Sequence, residues 1–356
     1  MKNIPAKRDN IPLMPKRLSI LILLTILLQA CVPASASEPT PTTVLSLPTP
    51  TLTPIAPQPA PEEIQPTQVL VPPQPISRVL IVTFDGMRPD AIEAADMINV
   101  KELMQNGAYT LHAQTVYPSS TLPAHASMVT GTCPAKHIAR WDEYVPQNGY
   151  ALGTDIFDLT HAVGLRTVIV AGKEKLQQIT EPTSLDYWGF IDETDNTKDI
   201  TTLLNMGREQ VKQGFGLMLM HFPNGDLAGH KYGWMSKQQL SAYHEDDKSF
   251  GALLQTMKDN GFYDGTLIII TSDHGGHETH HGTNMPDDLT IPWIIYGPQV
   301  VPGILKTQVY IMDTAPTVAF ALGLPLQAEW DGAPVYEAFG LPVDPNRVGG
   351  CPGTTP

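Results

Sequence analysis

The segment Ile268-Ile269-Ile270-Thr271-Ser272-Asp273-His274 runs an apolar, strand-like stretch straight into a carboxylate and an imidazole. A glycine-rich stretch with His277, His280 and His281 follows at once. Carboxylate and imidazole together suit zinc and its first-row neighbours, and α/β sheets offer ligands at the carboxyl ends of their strands. Upstream, Val79–Phe84 repeats the pattern and ends in Asp85-Gly86. Two apolar strands that each stop at an aspartate suggest one metal centre assembled from distant segments. Asp226 and His230 are four residues apart, a spacing that lets both ligate one ion from a single turn. Ser119, Ser120 and Thr121 precede a helix-forming run, which places a hydroxyl where orphan amides and the helix dipole favour an anion. Together these residues point to metal-assisted hydrolysis.

Positioning such a centre requires a sheet. Runs rich in Ile, Val and Leu predict buried strands at Val79–Phe84, Thr167–Ala171, Gly216–His221, Leu267–Thr271 and Trp293–Tyr296. Helical patterns separate them at Asp90–Gln105, Asp155–Val163, Ile200–Lys212 and Lys237–Asn260. The alternation predicts an α/β fold over 76–343, with a mostly parallel central sheet and helices on both faces. A length of 356 residues with 42% hydrophobic content supports one or two domains. The formal charge of −14 argues against a nucleic acid polymer as partner, since that needs basic surface. A small phosphorylated substrate is compatible, because bound cations invert the local field.

The N-terminus reads as an export signal. Lys2, Lys7, Arg8, Lys16 and Arg17 precede an apolar core at 18–28, and Leu28-Gln29-Ala30-Cys31 resembles the lipobox of bacterial lipoproteins. Residues 1–31 are therefore expected to be a lipoprotein signal with Cys31 as the lipidation site; the alternative is cleavage after Ala36 and secretion. The expected location is the bacterial cell envelope, outside the cytoplasm, with membrane association through the lipid. Residues 32–75 are Pro/Thr-rich and nearly uncharged, which predicts an extended tether, and 344–356 reads as an irregular tail. Cys133 and Cys351 could form a disulfide or stand as two free thiols, and both readings stay open.

Four segments carry a family resemblance: Phe84-Asp85-Gly86-Met87-Arg88-Pro89-Asp90, Thr121-Leu122-Pro123-Ala124-His125, Asp226 with Gly229-His230, and Ser272-Asp273-His274-Gly275. With Asp313-Thr314-Ala315-Pro316-Thr317 and Asp331-Gly332, they resemble the nucleotide pyrophosphatase/phosphodiesterase branch of the alkaline phosphatase superfamily, over most of 78–337. The resemblance implies two Zn2+ ions, one held by Asp85, Thr121, Asp273 and His274, the other by Asp226, His230 and His281. It implies Thr121 as the nucleophile, a phosphothreonine intermediate, and a small phosphodiester or nucleotide as substrate. Ser119 and Ser120 are rival nucleophiles, and His277 and His280 rival His281; the family register favours Thr121 and His281. Asp142 stands where the family often has an Asn that touches phosphate, so a substrate-binding role there needs its charge offset, for which Arg140 is at hand. Lys173 and Lys175 could reach a phosphate, but lysines at such places are expected to be solvated. His112, His125 and His161 are expected to be structural or solvated. Alternatives of the same superfamily are a phosphoethanolamine-type transferase or a phosphomonoesterase. A sulfatase is set aside for want of a Cys/Ser-x-Pro-x-Arg motif. From another class, a non-enzymatic metal-binding lipoprotein remains.

Overall fold

The computed structural model describes residues 76–191, 200–343 and 349–352. The expected signal with Cys31 and the expected tether lie outside the described residues, as does most of the tail.

The strands are β1 (Arg78–Phe84), β2 (Ala108–Gln114), β3 (Thr167–Ala171), β4 (Tyr187–Phe190), β5 (Leu217–Phe222), β6 (Thr266–Thr271), β7 (Thr290–Tyr296) and β8 (Gly303–Ile304). They form one sheet in the order β4-β3-β5-β1-β6-β7-β2-β8. Every pairing from β4 across to β6 is parallel, and β7 alone runs against its neighbours. The mostly parallel α/β sheet expected from the sequence is thus the fold. Its central strands carry aliphatics on both faces. Val79, Ile81, Leu217, Leu219, Leu267 and Ile269 enter one core, with the helices Thr121–Thr130, Ile156–Ala162 and Thr314–Leu322. Leu80, Val82, Met218, Met220, Ile268 and Ile270 enter the other, under the helices Ile98–Asn106, Ile200–Gln213 and Lys237–Asp259. Each fully buried side chain of this kind contributes about 1.5–3 kcal/mol, so the strands at the centre are the best fixed.

Several expectations are corrected. The single helix expected over Asp90–Gln105 is two, Ala91–Ala94 and Ile98–Asn106, broken where Asp96 takes a φ of 51°. Strand β7 starts at Thr290, before the expected Trp293, and is antiparallel. Strands β2, β4 and β8 add to those the sequence pattern predicts. Only half of β2 is buried, and its Tyr, His and Gln residues hide the alternation that marks a strand. Among the described residues, no helix is long and apolar enough to cross a membrane.

Cys133 and Cys351 form a disulfide with Cα atoms 5.6 Å apart, closing a loop 218 residues long in sequence. The bridge ties the described part of the tail to the segment that follows the helix Thr121–Thr130. A crosslink over so long a loop chiefly restricts the unfolded chain. Cys133→Ser is therefore expected to lower the unfolding free energy by about 2–4 kcal/mol. Denaturant melts of the oxidised protein and the variant check it; equal midpoints would remove the bridge from the account of stability.

Candidate active site

Four adjacent parallel strands deliver the polar groups. In the spatial order β3, β5, β1, β6, the strands β3, β1 and β6 end just before Lys173, Asp85 and the pair Asp273-His274, and Asp226 sits in the first turn of the helix Asn224–Tyr232 that follows β5. Thr121 opens the helix Thr121–Thr130 beside them, behind an extended Ser120. Thr121, Asp85, Asp226, Asp273, His274 and Lys173 are all buried.

Each carboxylate is held by one oxygen and leaves the other without a hydrogen-bond partner. Asp273 Oδ1 accepts from the amides of Gly86 and His274, both at 3.0 Å. Asp85 Oδ2 is 2.8 Å from His221 Nε2 and 2.8 Å from Lys173 Nζ. Asp226 Oδ2 lies 2.5 Å from the same Nζ. Asp85 Oδ1, Asp226 Oδ1 and Asp273 Oδ2 are buried and unpartnered. Buried carboxylate oxygens without donors are costly, and three in one place call for cations.

The histidines complete the arrangement. His274, His281 and His230 each direct Nδ1 at a backbone carbonyl: Gly275 at 2.8 Å, Ser119 at 2.9 Å and Thr279 at 3.0 Å. A carbonyl only accepts, so Nδ1 carries the proton and Nε2 faces inward, the usual posture of a ligating histidine. His281 Nε2 and His230 Nε2 stand 3.1 Å apart, so two lone pairs confront each other unless a cation lies against both.

Two groups result. Asp226 Oδ1 lies 3.4 Å from His230 Nε2 and 3.7 Å from His281 Nε2. His274 Nε2 lies 3.4 Å from Asp85 Oδ1, 3.4 Å from Asp273 Oδ2 and 3.5 Å from Thr121 Oγ1. Asp226, His230 and His281 are close enough to share one ion, as are Asp85, Asp226 and His274. The residues present fit divalent metal with nitrogen and oxygen preference.

Charge crowding has consequences. Burial pushes the Asp273 carboxyl up to about 7, helped by the nearby Asp85 charge. Burial also opposes ionisation of Asp85, yet Lys173 and the His221 hydrogen bond hold it well below the usual carboxylate range. Asp226 is likewise held low by Lys173 against the cost of burial. Burial depresses His281 to about 4, with the His274 ring adding to it, so near neutral pH its ring is uncharged.

The rival residues sort themselves by contact. Ser119 Oγ donates to the Thr283 carbonyl at 2.7 Å, away from the cluster. His277 is bound to Asp288 at 2.7 Å, and the His280 ring lies 3.3 Å from the Thr279 hydroxyl while its backbone pairs with that of His277. His125 is a core residue between Thr83 at 3.0 Å and the Thr121 carbonyl at 2.8 Å, and burial depresses it to about 3. His112 is exposed, and exposed His161 lies 3.8 Å from Asp186.

Three positions depart from the sequence reading. Lys173 is not solvated: it is 3% exposed and donates to Thr121 Oγ1 at 3.2 Å as well as to both carboxylates. His221 was not singled out, yet its Nδ1 accepts from the Gly172 amide at 3.0 Å, which fixes Nε2–H toward Asp85. A histidine ending a predicted strand beside two that end in aspartate was the available signal. Arg140 is exposed and bonds the Pro134 carbonyl. The partner of Asp142 is Lys175, at 3.2 Å, while Asp142 Oδ1 accepts the Leu122 amide at 2.9 Å. A separate cavity of about 240 Å³, walled by Tyr144, Tyr150, Tyr187 and Trp188, shares no residue with the Asp/His cluster.

Comparison with known proteins agrees with this geometry. The model of the type I phosphodiesterase / nucleotide pyrophosphatase family matches residues 79–150 and 156–295. The bis(5'-adenosyl)-triphosphatase enpp4 of Mus musculus is 24% identical over 217 residues, covering 56% of this chain and 47% of its own. GPI ethanolamine phosphate transferase 2 of Aspergillus fumigatus is 23% identical over 288 residues, covering 72% of this chain and 36% of its own. The chain thus spans about half the length, or less, of these relatives. Murine ectonucleotide pyrophosphatase / phosphodiesterase 5, solved as an inactive variant in complex with AMP, superposes with a TM-score of 0.58 at 15% identity, over 70% of this chain and 96% of its own. The matched sheet is the one whose strand ends carry the Asp/His cluster, and the chain belongs to the type I phosphodiesterase / nucleotide pyrophosphatase family of the alkaline phosphatase superfamily.

Proposed function

We propose that the protein is a zinc-dependent phosphodiesterase or nucleotide pyrophosphatase that works through a phosphothreonine at Thr121. One observation carries the reading. Three buried, unpartnered carboxylate oxygens and three inward Nε2 atoms form two ligand groups, one of them within 3.5 Å of the Thr121 hydroxyl. In this reading Asp85, Thr121, Asp273 and His274 hold one Zn2+, and Asp226, His230 and His281 the other. Bound zinc supplies positive charge for the phosphoryl oxygens and Lewis acidity for the attacking hydroxyl.

The chain's own residues do the rest. Thr121 Oγ attacks phosphorus and its proton leaves to solvent; the O–P bond forms as the bond to the leaving oxygen breaks, and that oxygen takes a proton from water. Water then attacks the phosphothreonine, the Oγ–P bond breaks, and Thr121 recovers its hydroxyl. Asp273 is kept in place by two amides and His274 by a carbonyl, so neither must reorganise as charge develops. Small nucleotides suit the site as substrates, in keeping with the relatives' names and the AMP complex of a structural neighbour. The matched ethanolamine phosphate transferase keeps a second reading alive, in which an alcohol takes the place of water. Product analysis in the presence of ethanolamine or glycerol separates the two.

Thr121→Ala is expected to lose roughly 10³-fold or more in kcat, because the attacking atom is gone. Ser119→Ala and Ser120→Ala are expected to keep most activity on bis-p-nitrophenyl phosphate. A dead Ser119 or Ser120 variant beside an active Thr121→Ala would move the nucleophile and the ligand set with it.

Wild-type protein is expected to carry two zinc equivalents by elemental analysis, and Asp226→Ala or His281→Ala to lose one, with the fold retained. Active protein free of transition metal would end the zinc reading.

We also propose that Cys31 is lipidated and that the enzyme works at the envelope surface of a bacterial cell. Cys31→Ser is expected to release the protein from the membrane fraction or to leave an unprocessed precursor; unchanged partitioning would assign the anchor elsewhere.

A further inference from the structure

We propose that Lys173 is a built-in cation of the reaction centre, a catalytic residue that contacts the nucleophilic oxygen of Thr121 while fixing Asp85 and Asp226 in their working orientations. The proposal rests on the reading of Thr121 as nucleophile.

An ammonium has three N–H donors, and Lys173 spends them on three acceptors: Asp226 Oδ2 at 2.5 Å, Asp85 Oδ2 at 2.8 Å and Thr121 Oγ1 at 3.2 Å. The side chain is 3% exposed, so solvent does not compete for them. The choice of oxygens is the informative part. On both aspartates Lys173 takes Oδ2, and Oδ1 is the atom left free near the histidine Nε2 atoms. The lysine therefore sits behind the ligand groups and does not occupy their place, and its presence is compatible with metal on the other side. Its backbone is set by β3, whose end is tied to the next strand by the Gly172 amide on His221. The same His221 donates to Asp85 Oδ2, the oxygen that Lys173 also holds. Two carboxylate oxygens and one hydroxyl oxygen as its three partners are the surroundings of an ammonium group.

A fixed positive charge against Thr121 Oγ acts where negative charge develops. It favours the oxygen as its proton leaves for solvent and attack begins, and again when the Oγ–P bond breaks in the second half-reaction. The N–H proton stays on Nζ throughout, and Thr121 is reprotonated from the attacking water. A group bound this way at the reacting atom changes the transition state more than substrate binding, so its loss falls on kcat.

The test uses the full chain with Lys173→Met, which keeps length and removes charge, and Lys173→Gln, which keeps two N–H donors for the carboxylates. Zinc affinity is measured against a competing chelator, kcat and KM on bis-p-nitrophenyl phosphate, and affinity for orthovanadate, an analogue of the phosphoryl transition state that needs no turnover. The expected result is retained zinc, little change in KM, a fall in kcat of roughly 100-fold or more, and a comparable loss in vanadate affinity. Wild-type kcat or vanadate affinity in a zinc-loaded variant overturns the proposal. Loss of zinc from Lys173→Gln also overturns it, because Lys173 would then act only as a support for the ligands. If Lys173→Met does not fold, Lys173→Gln decides alone. A wild-type protein that holds zinc and vanadate yet cleaves no diester sinks the phosphodiesterase reading instead, and the vanadate comparison still reads Lys173.

Discussion

Three buried carboxylates meet at the carboxyl ends of the central strands, and the surrounding structure is arranged around the cost of that meeting. Asp85, Asp226 and Asp273 are each at most 1% exposed. Removing a carboxylate from water is expensive, and neighbours of like sign add to the expense, as the upward push on Asp273 records. Such a cluster persists only if positive charge is supplied at fixed points. The chain supplies one such charge, Lys173, and presents unpartnered oxygens for others. A site of this kind is poised for metal, which explains why its construction leaves three acceptors open where a protein core normally leaves none.

The fold makes the crowding possible by geometry alone. Parallel neighbours lie about 4.8 Å apart, so strands β5, β1 and β6, stopping in register, bring three aspartates into one space. The chain must then turn sharply away without filling that space. Gly86 takes a φ of +70° directly after Asp85, and a side chain there would lie 3.2 Å from the Trp234 ring and 3.4 Å from Asp226. Trp234 in turn donates to the Gly86 carbonyl at 2.9 Å. Beneath Asp226, Gly225 leaves room for the Tyr243 ring, whose hydroxyl donates to the Asp85 carbonyl at 3.1 Å. The apolar floor and the acidic rim are therefore one unit, and packing at the floor sets distances at the rim.

What the sequence made legible follows from this. An apolar strand ending in aspartate is a local pattern, and Asp85 and Asp273 could be read from it without knowing what they face. Asp226 and His230 were legible by helical spacing, Thr121 and His281 only through family register. Lys173 was not legible, because a lysine after a strand is ordinarily solvated; its burial is decided by Asp85 and Asp226, distant in sequence and adjacent only once β3, β5 and β1 align. His221 was missed for the same reason, being read as strand and nothing more. The half-polar β2 and the break at Asp96 were hidden because tertiary pairing and a left-handed turn, not local hydrophobicity, define them.

Asp142 shows how a change of one charge is absorbed. A carboxylate left unpaired at this position would repel the anionic substrate proposed above. Here it accepts the amide of Leu122, at the positive end of the helix that carries Thr121, and pairs with Lys175. Part of the helix terminus is thereby satisfied from within the protein, and the cation that balances the carboxylate comes from the same short segment after β3 that provides Lys173. Two lysines two residues apart thus serve two different carboxylate environments, Lys173 the buried pair at the strand ends and Lys175 the half-exposed helix cap. Because one turn of chain sets both, an insertion or deletion at Gly172–Glu174 would disturb Thr121 from two directions, through its hydroxyl contact and through the cap of its helix.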